Sequence, residues 1–364
     1  IAARLYAEYD KAFAGACLDR AILSYKTLMD TGFVRHTQAP FETGEYGSES
    51  DNDKRLWAAA EMWETTGDPE ILAYLERNSA LSINSGISWA SVGTIAALTY
   101  LNSARDGKNP ETAERLRSRL ITVADGLISY AEAHGYARNI SLYNWGANGT
   151  VAGTAYILHS AYLHTGDEKY RHAIQDVLAH LLGRNHYSRS FVTGVGHNPP
   201  QNPHDRTTAA SGTPWPGRLI GGPHNSKSGA PASLTQCATS ATCWFDVAAD
   251  YWTNEVAINW NAPLVYALAA AMPGAGALPA PKYPGQPTDG TPARNAYAKK
   301  TPAAKRLTTR AVRVQNGRLD IPAGAKVYGL DGKLIAQRKA GDAKAPLIRK
   351  NGVFIIRIDE TPKK

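Results

Sequence analysis

The side chains best able to do chemistry lie in two polar constellations between Ser190 and Ala262. The first runs Ser190-Phe-Val-Thr-Gly-Val-Gly-His-Asn-Pro-Pro-Gln-Asn-Pro-His-Asp-Arg206, and the second runs Trp244-Phe-Asp-Val-Ala-Ala-Asp-Tyr-Trp-Thr-Asn-Glu-Val-Ala-Ile-Asn-Trp-Asn-Ala262. Glycine and proline at the density of the first exclude a helix or a central strand, so it is a shaped loop, where binding residues concentrate. In an extended segment His204 and Arg206 point the same way and offer several hydrogen bonds to hydroxyl groups. The second constellation sets Asp246 and Glu255 among Trp244, Tyr251, Trp252 and Trp260. Carboxyl groups among aromatic rings suit cleavage of a glycosidic bond: one protonates the leaving oxygen, and another acts as base or nucleophile on the opposite face. Glu255 follows an Asn at an expected helix start and is the candidate acid, where a solitary Glu would otherwise serve as a cap. Asp246 is the candidate to position a partner or hold water. His204 belongs to both the catalytic and the binding set. Trp89, Trp145, Trp215 and Trp260 are candidate platforms for the C–H face of a sugar ring, and Tyr143 beside Trp145 joins them. Trp57 and Trp63 fall at helical spacing and read as core.

The elements that must position these residues are helical. Segments 11–29, 53–65, 69–79, 89–104, 111–134, 150–164, 167–182 and 261–272 carry apolar residues at i, i+3, i+4 and i+7. Two connections repeat a theme, Thr-Gly67-Asp68 and Thr-Gly166-Asp167, in which glycine ends one helix left-handed and aspartate caps the next. Such hairpins build an α/α toroid. The long loops 30–52, 135–149 and 183–243 are then expected to gather at one end as a cleft. Residues 276–310 shift to Pro, Ala, Gly and Lys, a semi-rigid linker. Residues 311–364 read as short strands separated by Asn316-Gly, Asp331-Gly and Asn351-Gly turns, a small all-β module.

Charge separates the same regions. Residues 281–364 hold 19 Lys+Arg against 6 Asp+Glu. The whole-chain totals of 40 and 32 therefore leave 21 and 26 for residues 1–280, a net of −5. The basic character belongs to the tail, so nucleic-acid binding by the main body is not indicated. No apolar run reaches the roughly 18–20 residues of a membrane helix. The chain opens Ile-Ala-Ala-Arg-Leu with apolar residues already at helical spacing, as though entered part-way through a domain. Cys17, Cys237 and Cys243 are too few for a zinc site or a disulfide framework. Cys237 and Cys243 either close a small disulfide or remain thiols, and the sequence leaves both open.

These residues resemble glycoside hydrolase family 9, the family of endoglucanases and related cellulases. Ser190–Arg206 fits one family signature, including Gly196, Asn198, His204 and Arg206. Trp244–Ala262 fits the other, with Asp246, Tyr251, Glu255, Ala257 and Asn261. Weaker matches at Thr43-Gly-Glu-Tyr-Gly, Trp57-Ala-Ala-Ala-Glu61, Ser88-Trp89 and Trp145-Gly extend the likeness over residues 1–272. The resemblance implies a partial (α/α)6 barrel and inverting hydrolysis of β-1,4-glucan, with Glu255 as general acid and Asp246 as a second signature carboxylate. It implies that His204, Arg206 and Trp260 line the subsites around the scissile bond, and that Trp89 and Trp145 stack glucosyl units. It implies no required cofactor. Some relatives bind calcium near the position of Asp53, but Lys54 follows here. The family's catalytic base lies in an Asp-Ala-Gly-Asp motif, which this sequence does not contain, so the base is expected outside the chain. The C-terminal module resembles sorting or surface-attachment domains of gliding and fibrolytic bacteria. That implies secretion, and contact with a cell surface or secretion machinery. The alternatives are a non-catalytic glucan-binding or surface-attachment protein, and a related exo-acting glycosidase.

Overall fold

A computed structural model describes residues 1–35, 47–224 and 237–272, together with the strand segments 307–314, 319–320, 325–328, 334–338, 347–348 and 352–359. Thr43–Tyr46 of the weaker family match, most of the expected linker and the Asn316-Gly and Asp331-Gly turns lie outside the described residues. The chain divides into two compact units, Ile1–Ala293 and Arg294–Lys364.

The described part of the larger unit is mainly helical: α1 (Ala2–Tyr6), α2 (Lys11–Asp30), α3 (Asn52–Thr66), α4 (Pro69–Arg77), α5 (Gly93–Asn102), α6 (Pro110–Glu132), α7 (Ala147–Thr165), α8 (Lys169–Leu182), α9 (Arg206–Ser211), α10 (Tyr251–Asn254) and α11 (Ile258–Ala271). The apolar spacing found all the long helices among the described residues. The segment expected over 89–104 contracts to α5, because Ser88 and Ser91 pair across a tight turn ahead of it. The helix expected from 261 begins at Ile258. Sequence periodicity did not show the single-turn helices α9 and α10, which are too short to carry a period.

The helical hairpins form as their chemistry dictates. Gly67 (φ 71°) and Gly166 (φ 70°) end α3 and α7 in the left-handed conformation that lacks a Cβ penalty. Asp68 accepts the Glu70 N–H at 2.8 Å as the N-cap of α4. Asp167 accepts the Lys169 N–H at 3.0 Å, one residue ahead of the Glu168 cap of α8.

α7 is the central element, packing against α5, α6, α8 and α11. Small residues along it (Gly149, Ala152, Gly153, Ala155, Ala161) let neighbouring backbones approach, and it is buried nearly all round. α6 buries one stripe, Leu116, Leu120, Ala124 and Leu127, toward the same core. Trp63 is 1% exposed and packs against Tyr100 with ring centroids 5.5 Å apart, so it is core as its spacing implies. Trp57 is half-buried and its indole donates to Glu61 Oε1 at 3.2 Å. At the other end of the chain α1 and α2 line an apolar groove of about 610 Å³ with α3. It shares no residue with the site described below.

The smaller unit contains an antiparallel sheet of order β1-β6-β3-β4, formed by β1 (Leu307–Val314), β3 (Ala325–Tyr328), β4 (Leu334–Gln337) and β6 (Gly352–Asp359). β1 and β6 pair from Leu307↔Asp359 to Val314↔Gly352. β2 (Leu319–Asp320) and β5 (Leu347–Ile348) form a separate pair. Ala325 and Val327 alternate inward from β3.

Replacing the buried ring of Trp63 with alanine is expected to cost about 3–5 kcal/mol in denaturant unfolding. Trp89→Ala, whose ring is 47% exposed, is expected to cost under about 1 kcal/mol.

Candidate active site

The two constellations meet. Their junction is Asn254, the last residue of α10, whose side chain is fully buried. Its Oδ1 accepts the Trp244 indole N–H at 2.7 Å. Its Nδ2 lies 2.7 Å from the Phe245 carbonyl, 3.1 Å from that of Val247 and 3.3 Å from that of Asn202. Its own carbonyl accepts the His204 N–H at 2.8 Å, pairing the His204 segment in parallel with Glu255. One buried amide therefore ties the start of the second constellation, Trp244–Val247, to the tip of the first.

Glu255 follows directly. The sequence places it at a helix start. The structure places it at the end of α10, with φ −60° and ψ 148°, in the extended link to α11. The correction has a physical cause: residues 253–256 pair with 220–222 as a short ladder. Gly221 N–H donates to the Glu255 carbonyl at 2.9 Å, Gly222 N–H to Thr253 at 2.8 Å, and Ile220 bridges Val256. Freed from a helix, the half-buried Glu255 side chain receives the Trp145 indole N–H on Oε2 at 3.0 Å.

An aromatic border surrounds it. Trp145 lies 5.4 Å from Tyr251 and 6.4 Å, edge-on, from His224, while Tyr251 lies 5.8 Å from His204 and stacks on Trp252 at 3.6 Å. Trp145 is 44% exposed, leaving ring area for a ligand. His204 is exposed, and its Nδ1 bonds the Ala248 carbonyl at 2.6 Å. A carbonyl can only accept, so Nδ1 carries hydrogen and Nε2 faces outward.

Asp246 is engaged within the loop. Its Oδ2 pairs with Arg189 at 3.0 Å and accepts the Gln201 N–H at 3.0 Å, and its Oδ1 accepts the Asn202 N–H at 2.9 Å. Arg189 also lies over the Trp244 ring at 4.9 Å and donates to the Asn198 carbonyl at 2.8 Å. These contacts hold the segment 198–204 in shape.

Arg206 does not extend the strand that holds His204. It opens α9, because Asp205 turns the chain as an N-cap, accepting the Thr208 N–H at 2.9 Å and the Arg218 guanidinium at 2.6 Å. Burial alone would raise the Asp205 pKa, but bonds from Thr207, Thr208 and Arg218 outweigh it and hold the carboxyl well below the usual range.

Trp260 is 8% exposed and its ring fills a slot walled by glycine. A Cβ on Gly146 would sit 2.3 Å from its Nε1, and one on Gly149 would sit 2.5 Å from its Cδ1. Tyr143 is half-buried, with the Arg138 guanidinium over its ring at 4.0 Å. Trp89 stands exposed in the separate Ser88–Ser91 turn, and Trp215 is 58% exposed beneath Arg218. Two of the three expected cleft loops, those carrying Trp145 and His204, thus converge on Glu255.

Sequence reading missed Asn254, Arg189, Asp205 and Arg218. Each works by bonding backbone or another side chain, and only the composition of the signatures around them gave a signal. Cys237 and Cys243 form a disulfide just ahead of Trp244, resolving that alternative. Asp53 does not suit calcium: Lys54 occupies its Oδ1 at 2.9 Å and the Val92 N–H its Oδ2 at 2.9 Å. Among the described residues no group of three or more acidic, His or Cys side chains is placed to hold a metal.

The helical scaffold thus sets a half-buried carboxyl group against the exposed Trp145 ring and beside the His204 loop. The chain belongs to Glycosyl hydrolase family 9, whose sequence profile matches residues 1–268. It is 42% identical over 276 residues to endoglucanase D of Acetivibrio thermocellus, covering 74% of this chain and 42% of that protein. It is 31% identical over 244 residues to a xyloglucan-specific endo-β-1,4-glucanase of Bacteroides ovatus, covering 65% of this chain and 41% of that protein. Among solved structures, a metagenome-derived family 9 endoglucanase matches with TM-score 0.67 at 31% identity, over 74% of this chain and half of the other. AaCel9A in complex with a cellobiose-like isofagomine matches with TM-score 0.67 at 26% identity, over 74% of this chain and 52% of the other. These family 9 structural neighbours are (α/α)6 barrels. The chain spans about two-fifths of the length of the curated relatives and half that of the solved structures.

The lowered Asp205 pKa sets a pH test. Its stabilisation is fully present above the unfolded carboxylate pKa of about 4. It is lost as pH falls toward the depressed folded value. The stability gap between the wild type and Asp205→Asn is expected to stay constant between pH 6 and 8, and to narrow below about pH 4.

Proposed function

We propose that this chain supplies the acid side of the active site of an inverting β-1,4-glucan hydrolase, with Glu255 as the general acid. The observation that carries the reading is the Trp145–Glu255–His204 arrangement. A half-buried carboxyl is held between an exposed ring and a loop of hydrogen-bonding side chains, which is what protonation of a glycosidic oxygen requires. The substrate class follows from the endoglucanase relatives and from the neighbour that holds a cellobiose-like ligand.

His204 from its loop and Arg206 from the start of α9 bind sugar hydroxyls, and Trp145, Trp89 and Tyr143 contribute stacking faces. Asp246 keeps the His204 loop in place through Arg189 and the backbone of residues 201–202. Trp260 stands behind the acid as a subsite wall. The base is assigned to no residue of this chain, since the Asp-Ala-Gly-Asp motif does not occur in it. The disulfide supports export, where such bonds persist. The role of the smaller unit in sorting or surface attachment rests on its sequence resemblance.

The test is Glu255→Gln in the full native polypeptide. Turnover of cello-oligosaccharides is expected to fall by at least about 100-fold while calorimetric binding is retained. Unchanged turnover would remove Glu255 from the acid role. Binding without turnover in the wild-type native polypeptide would favour a non-catalytic glucan-binding protein.

A further inference from the structure

A protonated carboxyl carries its hydrogen on one oxygen and offers the other as an acceptor, whereas an indole nitrogen only donates. The Trp145 N–H on Glu255 Oε2 therefore leaves Oε1 to bear the proton. We infer that Trp145 is a positioning residue for the acid: it selects the oxygen that delivers the proton, and it stabilises the carboxylate left behind. The inference rests on Glu255 being the acid.

The surroundings keep that bond in place. Trp145 precedes Gly146, whose left-handed φ of 79° turns the chain into α7. The Trp260 ring occupies the space where a side chain at 146 would lie, so the turn accepts glycine alone. Tyr251, backed by its stack on buried Trp252, lies against one side of the Trp145 ring. The contact is thus built from α7, α10 and α11 together, although Trp145 is itself exposed.

In the reaction the Oε1–H bond breaks, the proton passes to the glycosidic oxygen, and the C–O bond electrons leave with that oxygen. Glu255 ends as a carboxylate, with negative charge shared by both oxygens. The indole bond to Oε2 changes from a neutral hydrogen bond to a charge-assisted one, roughly twice as strong. An interaction that strengthens on the way to the transition state raises kcat rather than affinity. Its benefit depends on how far the leaving group needs protonation. A ring used only for stacking would have no such dependence.

The experiment compares Trp145→Phe and Trp145→Ala in the full native polypeptide on two substrates: a cello-oligosaccharide, and an aryl cellobioside whose dinitrophenolate departs without a proton. Trp145→Phe keeps the ring face and loses the N–H. It is expected to lower kcat on the oligosaccharide about tenfold or more, with KM little changed and the aryl substrate near wild type. Trp145→Ala is expected to raise KM on both substrates as well. An equal loss on both substrates from Trp145→Phe, or a change in KM alone, would overturn the positioning role. Glu255→Gln run alongside separates the two claims. If its loss depends on the leaving group and that of Trp145→Phe does not, only the role of Trp145 fails. If neither loss depends on it, the acid assignment fails and the positioning role falls with it.

Discussion

The site depends on one buried amide. Asn254 has no solvent to satisfy its polar atoms, so they must be matched inside the protein, and they are matched by the indole of Trp244 and by carbonyls from both constellations. An unsatisfied buried polar group costs about 1–3 kcal/mol, so the loop tip and the Glu255 segment are each held where this side chain requires them. His204 and Glu255 become neighbours because the backbone of Asn254 continues the same network.

Around that amide the fold supplies a surface without side chains. Gly146, Gly149 and Gly221 leave room for the ring of Trp260, and Gly222, in a left-handed conformation, leaves room for Asn148. Asn148 bonds the carbonyls of Ile220 and Gly221, one through its side chain and one through its backbone. Leu219 N–H is taken by Asn261 at 3.0 Å. The start of α7, the segment 219–222 and the start of α11 are therefore locked to one another, and Trp145 and Glu255 emerge from either side of the lock. Rigid elements beneath and shaped loops above hold Trp145 and Glu255 in a fixed relation, as a functional site requires.

The helical architecture was legible because its cause is periodic. Apolar spacing marked α2 to α8, and the Gly-Asp pairs marked two of the turns. The candidate residues stood out by type, since Glu255 among tryptophans and His204 in a proline-rich loop have few ordinary reasons to be there. What could not be read was the environment. Glu255 leaves the helix because of a ladder with residues some thirty-five positions earlier, and Arg206 turns away from His204 because Asp205 finds Arg218 and Thr208. Trp145 and Trp260 are equal as letters, yet one is 44% exposed and the other 8%. The difference lies in glycines on another helix. Pairings over long separations decide these outcomes, and one sequence carries no local trace of them.

The central claim is that the Asn254 amide couples the Glu255 segment to the His204 loop, the proposed acid to the proposed sugar-binding loop. Asn254→Asp tests it directly, being nearly isosteric and keeping an oxygen for the Trp244 indole while replacing the donors with an acceptor. Measured on cello-oligosaccharides with the full native polypeptide, at a temperature where circular dichroism shows the helices intact, kcat/KM is predicted to fall at least tenfold. Wild-type kcat/KM in that variant would contradict the account.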